Sequence, residues 1–496
     1  MRFYSFQDRS PRVDSNTAIK AFSNESSDPL SIMFLRELIQ NAIDANYKGI
    51  TRLVFNIANV KDKNDRKYLD ELFKEPRALH AATRTDLEKG KKYSALIIEE
   101  YNTTGLTGTE EPDPPGVEDL KDAHWSNFMF GNMRETKDGE SGGSRGVGKI
   151  VSNMTSALRV VIAKTVRSDD DEIWLGGRIE YEKAPRLGIA PNKTKYDNWG
   201  YLTDHTDPTN AHNVDIWKPI KDSKHIAKVS KIFDLKRKDD DYGTSWIIPE
   251  PLFRINKKDD ITPLNELGLL EKEAVKEFHW AILRGDLEVD FGNGLINTSN
   301  IKDFYLNHFP NDENYWKFIE SIFDNPKEFL INSNWDRKNS NSFLNDNDIE
   351  EARELLHDNE LIDFKFPIKI KHKDRATTTS NFHIYVMKND QLASTRALFI
   401  RKWLPISEEC NLKSYKHPVF LWTFVEEPTL GTFLGDCEEA DHKKFSNVLG
   451  GKKGYIKVRD NLADIRAASK LLLEILFELN DNEFKNLLGE MFGMAV

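Results

Sequence analysis

Cysteine is scarce in this chain: 496 residues carry only Cys410 and Cys437. Two thiols cannot build a disulfide framework, and no C-x-x-C or Cys/His spacing suggests zinc. Two reduced thiols in a reducing compartment are expected. Long apolar runs are missing too. No stretch of about 18 uncharged apolar residues occurs, and the opening MRFYSFQDRS has no apolar core of a signal peptide. A cytoplasmic protein without membrane contact is therefore expected. Positive charge is in deficit, with 70 basic against 81 acidic residues and a net charge of −11. That balance argues against a protein coating DNA along its length, although it leaves room for a local basic groove. No internal repeat or low-complexity segment interrupts the chain.

What is present is the material for a large core. The chain is 39% hydrophobic and 30% charged, and at roughly 100–200 residues per domain it should form two to four units. Residues 31–47 place Ile32, Leu35, Leu38, Ile39, Ala42 and Ile43 at helical spacing, with Ser27 and Asp28 available as caps upstream. Segments 51–58, 93–100, 156–164, 172–181 and 243–249 read as strands. A long polar, glycine-bearing stretch, 101–149, separates the second from the third. The pattern predicts an α+β fold, an α/β sandwich with helices on one face of a mostly antiparallel sheet. A boundary is expected near Pro249–Pro251. Beyond it, 260–285 and 313–358 read as helical, 366–372, 381–387 and 396–406 as strands, and about 462–479 as an apolar helix packed on its own domain. The lysine-rich pieces 221–238 and 369–375 read as solvated faces.

Four segments carry chemistry. In FLRELIQNAIDA (34–45), Glu37, Asn41 and Asp44 stand at i, i+4 and i+7, so all three project from one helix face. Alone, such a stripe is common on amphipathic helices. In LIIEEYNTTGLTG (96–108), an apolar strand delivers Glu99 and Glu100 at its end, then turns through Gly105 and Gly108. A carboxylate there could accept a hydrogen bond from a ligand amino group. In GGSRGVGKI (142–150), glycines around a lysine ahead of an apolar segment expose backbone N–H groups that cradle phosphate. Gly143 to Lys149 fits G-x-x-x-x-G-K, but Ile150 replaces the magnesium-holding hydroxyl and RETKDGES, not an apolar strand, leads in. A P-loop is therefore disfavoured. In GTSWIIP (243–249), Gly243 and Thr244 open a strand and could approach a phosphate.

Taken in order, the four segments resemble the Bergerat-fold nucleotide site of the GHKL superfamily, which includes gyrase B, MutL, MORC proteins, large heat-shock chaperones and histidine kinases. Glu37, Asn41, Ala42, Asp44 and Ala45 complete E-x-x-x-N-A-x-D-A. The resemblance implies ATP and Mg2+ as ligands, with Glu37 as the base that activates water, Asn41 as magnesium ligand, and Asp44 and Ala45 in the pocket wall. The adenine-reading D-x-G-x-G departs from the pattern as E-Y-N-T-T-G, with Glu100 or Glu99 in the aspartate's place and Gly105 at the second glycine. Gly142, Gly143, Ser144, Arg145, Gly146, Val147, Gly148 and Lys149 correspond to the lid, and Thr244 to the last phosphate-side motif.

The implied organisation is a nucleotide domain over 1–250, with an N-terminal arm 1–28 and an ATP lid 101–149. A transducer-like α/β and C-terminal helical region follows over 251–496, with Lys402 as the candidate γ-phosphate sensor and catalytic partner of Glu37. The implied activity is an ATPase that closes and dimerises on binding ATP, acting with an effector protein or with nucleic acid. ALFIRKWLPI and EEADHKKF, the latter containing His442, also resemble bacterial GHKL proteins of anti-phage defence. A heat-shock-type chaperone ATPase is the alternative. A histidine kinase is disfavoured, because no histidine precedes Glu37.

Overall fold

Hydrophobic patterning builds the first sheet strand by strand. The computed structural model describes residues 1–7, 30–83, 91–110, 123–130, 155–181, 186–187, 194–205, 216–253, 262–264, 266–335, 337–338, 343–410, 412, 416–439 and 443–477. They form two compact units, one ending at His308 and one beginning at Phe309. In chain order, the first contains β1 (Arg2–Gln7), α1 (Leu30–Asp44), β2 (Thr51–Asn59), α2 (Lys63–Leu72), α3 (Lys74–Thr83) and β3 (Ser94–Tyr101). Then come α4 (His124–Phe130), β4 (Val160–Val166), β5 (Ile173–Glu180), β6 (Thr194–Thr203), α5 (Ser223–Ile232) and β7 (Gly243–Pro249). The unit closes with α6 (Gly268–Arg284), β8 (Leu287–Asp290), β9 (Leu295–Ile296) and α7 (Ile301–His308). The strands lie in the order β1-β6-β5-β4-β7-β3-β2-β8-β9. All of these pairs are antiparallel except β2 with β8.

The expected α/β sandwich is realised with a second helical layer. On one face, Ala95, Ile97, Ile162, Leu175, Ile179 and Ile247 bury against Leu69 and Leu72 of α2, Leu79 of α3 and Ile226, Val229 and Ile232 of α5. The lysine-rich segment 221–238 contains α5, whose N-terminus is capped by the Asp222 carboxylate, accepting from the N–H groups of Lys224 and His225. Its lysines lie on the solvated side, as the sequence predicts. The other face carries α1, which packs on β2 and α6. The nearly buried Arg36 ties these helices through Glu277 at 3.3 Å.

Of the expected N-terminal arm 1–28, residues 2–7 form β1, an edge strand paired with β6 in which Phe3 stacks on Phe73 at 6.0 Å, and residues 8–28 lie outside the described residues. Two expectations are corrected. The first unit runs past the expected boundary near residue 250 because α6 packs on α1 and β8 extends the sheet beside β2. The stretch 313–358 is not one helical region, since a strand, Lys327–Leu330, divides it just after Pro326. A proline at that point ends a helix and leaves its own segment extended.

The second unit holds α8 (Glu313–Ser321), β10 (Lys327–Leu330), α9 (Asp346–His357), β11 (Ile362–His372), β12 (Arg375–Lys388) and β13 (Arg396–Arg401). After these come β14 (Leu404–Pro405), β15 (Val419–Val425), α10 (Pro428–Cys437), α11 (Asn447–Lys452) and α12 (Val458–Phe477). Its sheet runs β10-β11-β12-β15-β13-β14. The apolar C-terminal helix α12 packs within its own unit, with Ser469 Oγ 2.7 Å from Thr423 Oγ1 on β15. Both cysteines are free thiols. Burial pushes Cys410 up to about 11 and Cys437 up to about 12, so neither is a ready thiolate.

Candidate nucleotide pocket

The polar stripe of α1 faces a cavity. Asn41 Nδ2 donates to Glu37 Oε1 at 3.0 Å, the contact that i, i+4 spacing allows. Glu37, Asn41, Asp44 and Ala45 line one wall of a cavity of about 360 Å³, within the range of small-ligand sites. The sheet supplies the floor: Glu100 from β3, Thr244, Trp246 and Ile248 from β7, Val161 from β4 and Arg178 from β5. The alternation of β7 decides which of its residues reach the cavity, since every second side chain points the same way.

The same alternation separates the two glutamates. Glu99 stands opposite Ser245 and Ile98 opposite Trp246, so Glu100 shares the cavity face while Glu99 shares the other. Glu99 is not among the cavity residues. Its carboxylate instead accepts from the backbone N–H groups of Lys236, at 3.0 Å, and Arg237, at 2.9 Å, and from Ser245 Oγ at 3.1 Å. It anchors the segment after α5.

Glu100 is buried and accepts from Trp246 Nε1 at 2.6 Å. Burial raises its carboxyl to about 7, against smaller lowering contributions from the Trp246 N–H and Arg237. A carboxyl raised in the folded state stabilises the fold fully below its unfolded pKa, and that contribution disappears as pH rises through about 7. Glu100→Gln removes the titration. The wild type should thus lose stability relative to this variant between about pH 5 and 8, by an amount on the order of 3 kcal/mol. Paired melting curves across that range check it, and parallel curves would refute the assignment.

The loop after β3 is stitched to α1 and to the sheet. Thr104 N–H donates to Ala45 O at 2.9 Å and Tyr47 N–H to Asn102 O at 2.8 Å. Gly105 has φ +70°, and a Cβ there would lie 2.5 Å from Val166 O, so only glycine fits. Leu106 N–H donates to Thr165 Oγ1 at 2.8 Å, and that hydroxyl lies 3.2 Å from Thr244 Oγ1. Arg167 donates to Leu106 O and Gly108 O at 3.0 and 2.8 Å. The loop is thereby fixed beside the Glu100 strand end.

Several cavity residues were not anticipated from the sequence. Arg178 is fully buried, donates to Phe128 O at 2.7 Å, and has its guanidinium 5.5 Å from the Phe128 ring. Burial lowers its pKa, and the Glu180 charge opposes that. Phe128 and His124 come from α4, which is seated by Trp125 over Gly176; a Cβ there would lie 2.4 Å from the indole. The lone arginine within IWLGGRIEY was the available signal, but only the strand order aims it at the cavity.

Seven expected residues therefore meet at one cavity: Glu37, Asn41, Asp44, Ala45, Glu100, Gly105 and Thr244. Gly142, Gly143, Ser144, Arg145, Gly146, Val147, Gly148 and Lys149 lie outside the described residues, as does His442. Lys402 belongs to the second unit, at an exposed turn between β13 and β14, with φ +57° and its N–H donating to Val425 O at 2.7 Å. No family model matches the chain, and no curated protein does. Among solved structures, it is similar to the ATPase region of Saccharomyces cerevisiae topoisomerase II, at 10% identity, with 90% of this chain and 86% of that chain covered and a TM-score of 0.31. A second structure of that region, bound to ICRF-187 (dexrazoxane), is 8% identical with the same coverage and TM-score. A likeness at this level assigns neither family nor activity. Among the described residues, no helix is long and apolar enough to cross a membrane.

Proposed function

We propose that this chain is a GHKL-type ATPase that binds ATP with magnesium in the cavity between α1 and the sheet, and uses hydrolysis to reset an ATP-closed dimer. The observation that carries the reading is the meeting of the α1 carboxylate–amide–carboxylate face with Glu100, Gly105 and Thr244 around one cavity. The residues suit the ligands. Apolar walls from Phe34, Phe128, Trp246 and Ile248 accommodate a base, and Glu100 offers an acceptor for an exocyclic amino group. Asn41 uses its amide N–H on Glu37, which leaves the Oδ1 side as the hard oxygen donor that magnesium prefers. Bound magnesium would offset negative charge on the phosphate oxygens.

In this reading the chain's own work is positioning and proton transfer. Glu37 orients a water and takes its proton as the water oxygen bonds to the γ-phosphorus. The bond from that phosphorus to the bridging oxygen breaks, and ADP and phosphate result. The Asn41 amide holds the Glu37 carboxylate in place while this happens. Closure of the glycine segment and dimerisation, γ-phosphate sensing by Lys402, an effector protein or nucleic-acid partner, and a place in anti-phage defence belong to the same proposal.

Asn41→Ala tests the pocket directly. It should reduce magnesium-dependent phosphate release at least about 100-fold and weaken magnesium-stimulated ATP binding. Isotherms with and without magnesium, alongside phosphate release, make the measurement. Wild-type protein that neither binds nor hydrolyses ATP would overturn the proposal.

A further inference from the structure

The sheet of the second unit gathers three metal-binding groups on one face. β10 runs parallel to β11 with Glu328 beside Asp363, and β12 runs antiparallel to β11 with His383 opposite Lys365. Alternation then puts Asp363, Lys365, His383 and Tyr385 on a common face. Asp363 is buried at 7% exposure, His383 is half-buried and Glu328 is exposed at the rim. His383 Nδ1 lies 2.9 Å from each oxygen of Asp363. One ligand atom from each of the three residues lies within 4.8 Å of the other two. The His383 ring stacks on Tyr385, with centroids 6.0 Å apart at 14°, which sets its plane.

The charge balance also favours a cation. A buried carboxylate is costly without a compensating charge. Lys365 Nζ, an ammonium on this face, pairs with the exposed Glu328 at 3.4 Å. Asp363 is met by an imidazole, which carries charge only when protonated.

We propose that Glu328, Asp363 and His383 form a binding site for one first-row divalent metal ion of the Mn2+ or Zn2+ class. One imidazole and two carboxylates are a nitrogen–oxygen donor set, which suits these ions and offers no sulfur for softer ones. Bonds of about 2.0–2.2 Å would subtend the 2.9 Å nitrogen–oxygen separation at roughly a right angle, leaving positions for water. The ion replaces the proton that His383 Nδ1 shares with Asp363. Glu328 swings inward from its surface pair with Lys365. The site uses no residue of the ATP cavity, so it does not depend on that reading.

The test uses the full chain, stripped with EDTA and free of nucleotide, carrying Asn41→Ala so that the first unit's magnesium ligand is removed. MnCl2 is titrated with detection of free Mn2+ by electron paramagnetic resonance, and ZnCl2 by calorimetry. Saturation at one ion per chain is expected, with a rise in melting temperature on loading. His383→Gln and Glu328→Gln, added singly, should each weaken binding at least about tenfold and abolish that rise. Glu328 is at the exposed rim, so its variant keeps the test decisive if His383→Gln folds poorly. Absence of saturable binding, or undiminished binding in the folded variants, would overturn the proposal.

Discussion

Glu37→Ala is expected to bind ATP with near-wild-type affinity and to turn it over about 10³-fold more slowly. The direction follows from where the side chain lies. Glu37 contributes a carboxylate to the cavity wall, while the apolar walls and Glu100 sit elsewhere around it. Removing a base costs the chemical step, and leaves most binding contacts in place. Loss of Glu37 also frees the Asn41 amide from its 3.0 Å hydrogen bond, so a modest change in magnesium dependence should accompany the loss of rate. Single-turnover phosphate release with matched nucleotide-binding isotherms separates the two effects. If turnover persists unchanged, the base is another residue.

Gly243→Ala, one residue before the cavity-lining Thr244, should strongly reduce stability. Gly243 has φ +132°, and its Cβ would lie 2.0 Å from the carbonyl oxygen of Glu100. That contact is with backbone, which cannot rotate away. β7 must then separate from β3 at the strand end that holds both Glu100 and Thr244. The backbone strain and the overlap together should cost about 3 kcal/mol or more. A denaturant midpoint falling without a change of slope measures this, and nucleotide affinity should fall with it. A variant as stable as the wild type would mean that the two strands lie further apart than described.

The polar face of α1 was legible because helical spacing alone brings residues 37, 41 and 44 together, whatever surrounds them. The choice between Glu99 and Glu100 was not. β3 is buried on both faces, so SALIIEEY shows no polar-apolar alternation to say which side is which. Only the pairing of Glu99 with Ser245 and Ile98 with Trp246 resolves it. Arg178 and Trp246 were hidden for a related reason. Each looks like one polar or aromatic residue in an apolar strand, and its destination depends on the sheet order. The domain limit was missed because Pro249–Pro251 punctuates the chain where the sheet does not end. The pairing that carries the sheet further, β8 with β2, joins residues far apart in sequence and leaves no local signature.

That late strand has a consequence for how the protein is made. Thr51–Val54 find their outer partner in Leu287–Asp290, and Phe55 stacks on Phe291 at 4.4 Å. α1 likewise finds its cover in α6. On a ribosome adding residues one by one, the helix bearing Glu37 waits for some 240 further residues before its flank is covered. During that wait the apolar side of α1 and the open margin of β2 are exposed to whatever binds nascent chains. A gene truncated at codon 250 would make this interval permanent, and its product should accumulate in inclusion bodies, whereas one ending after His308 should not.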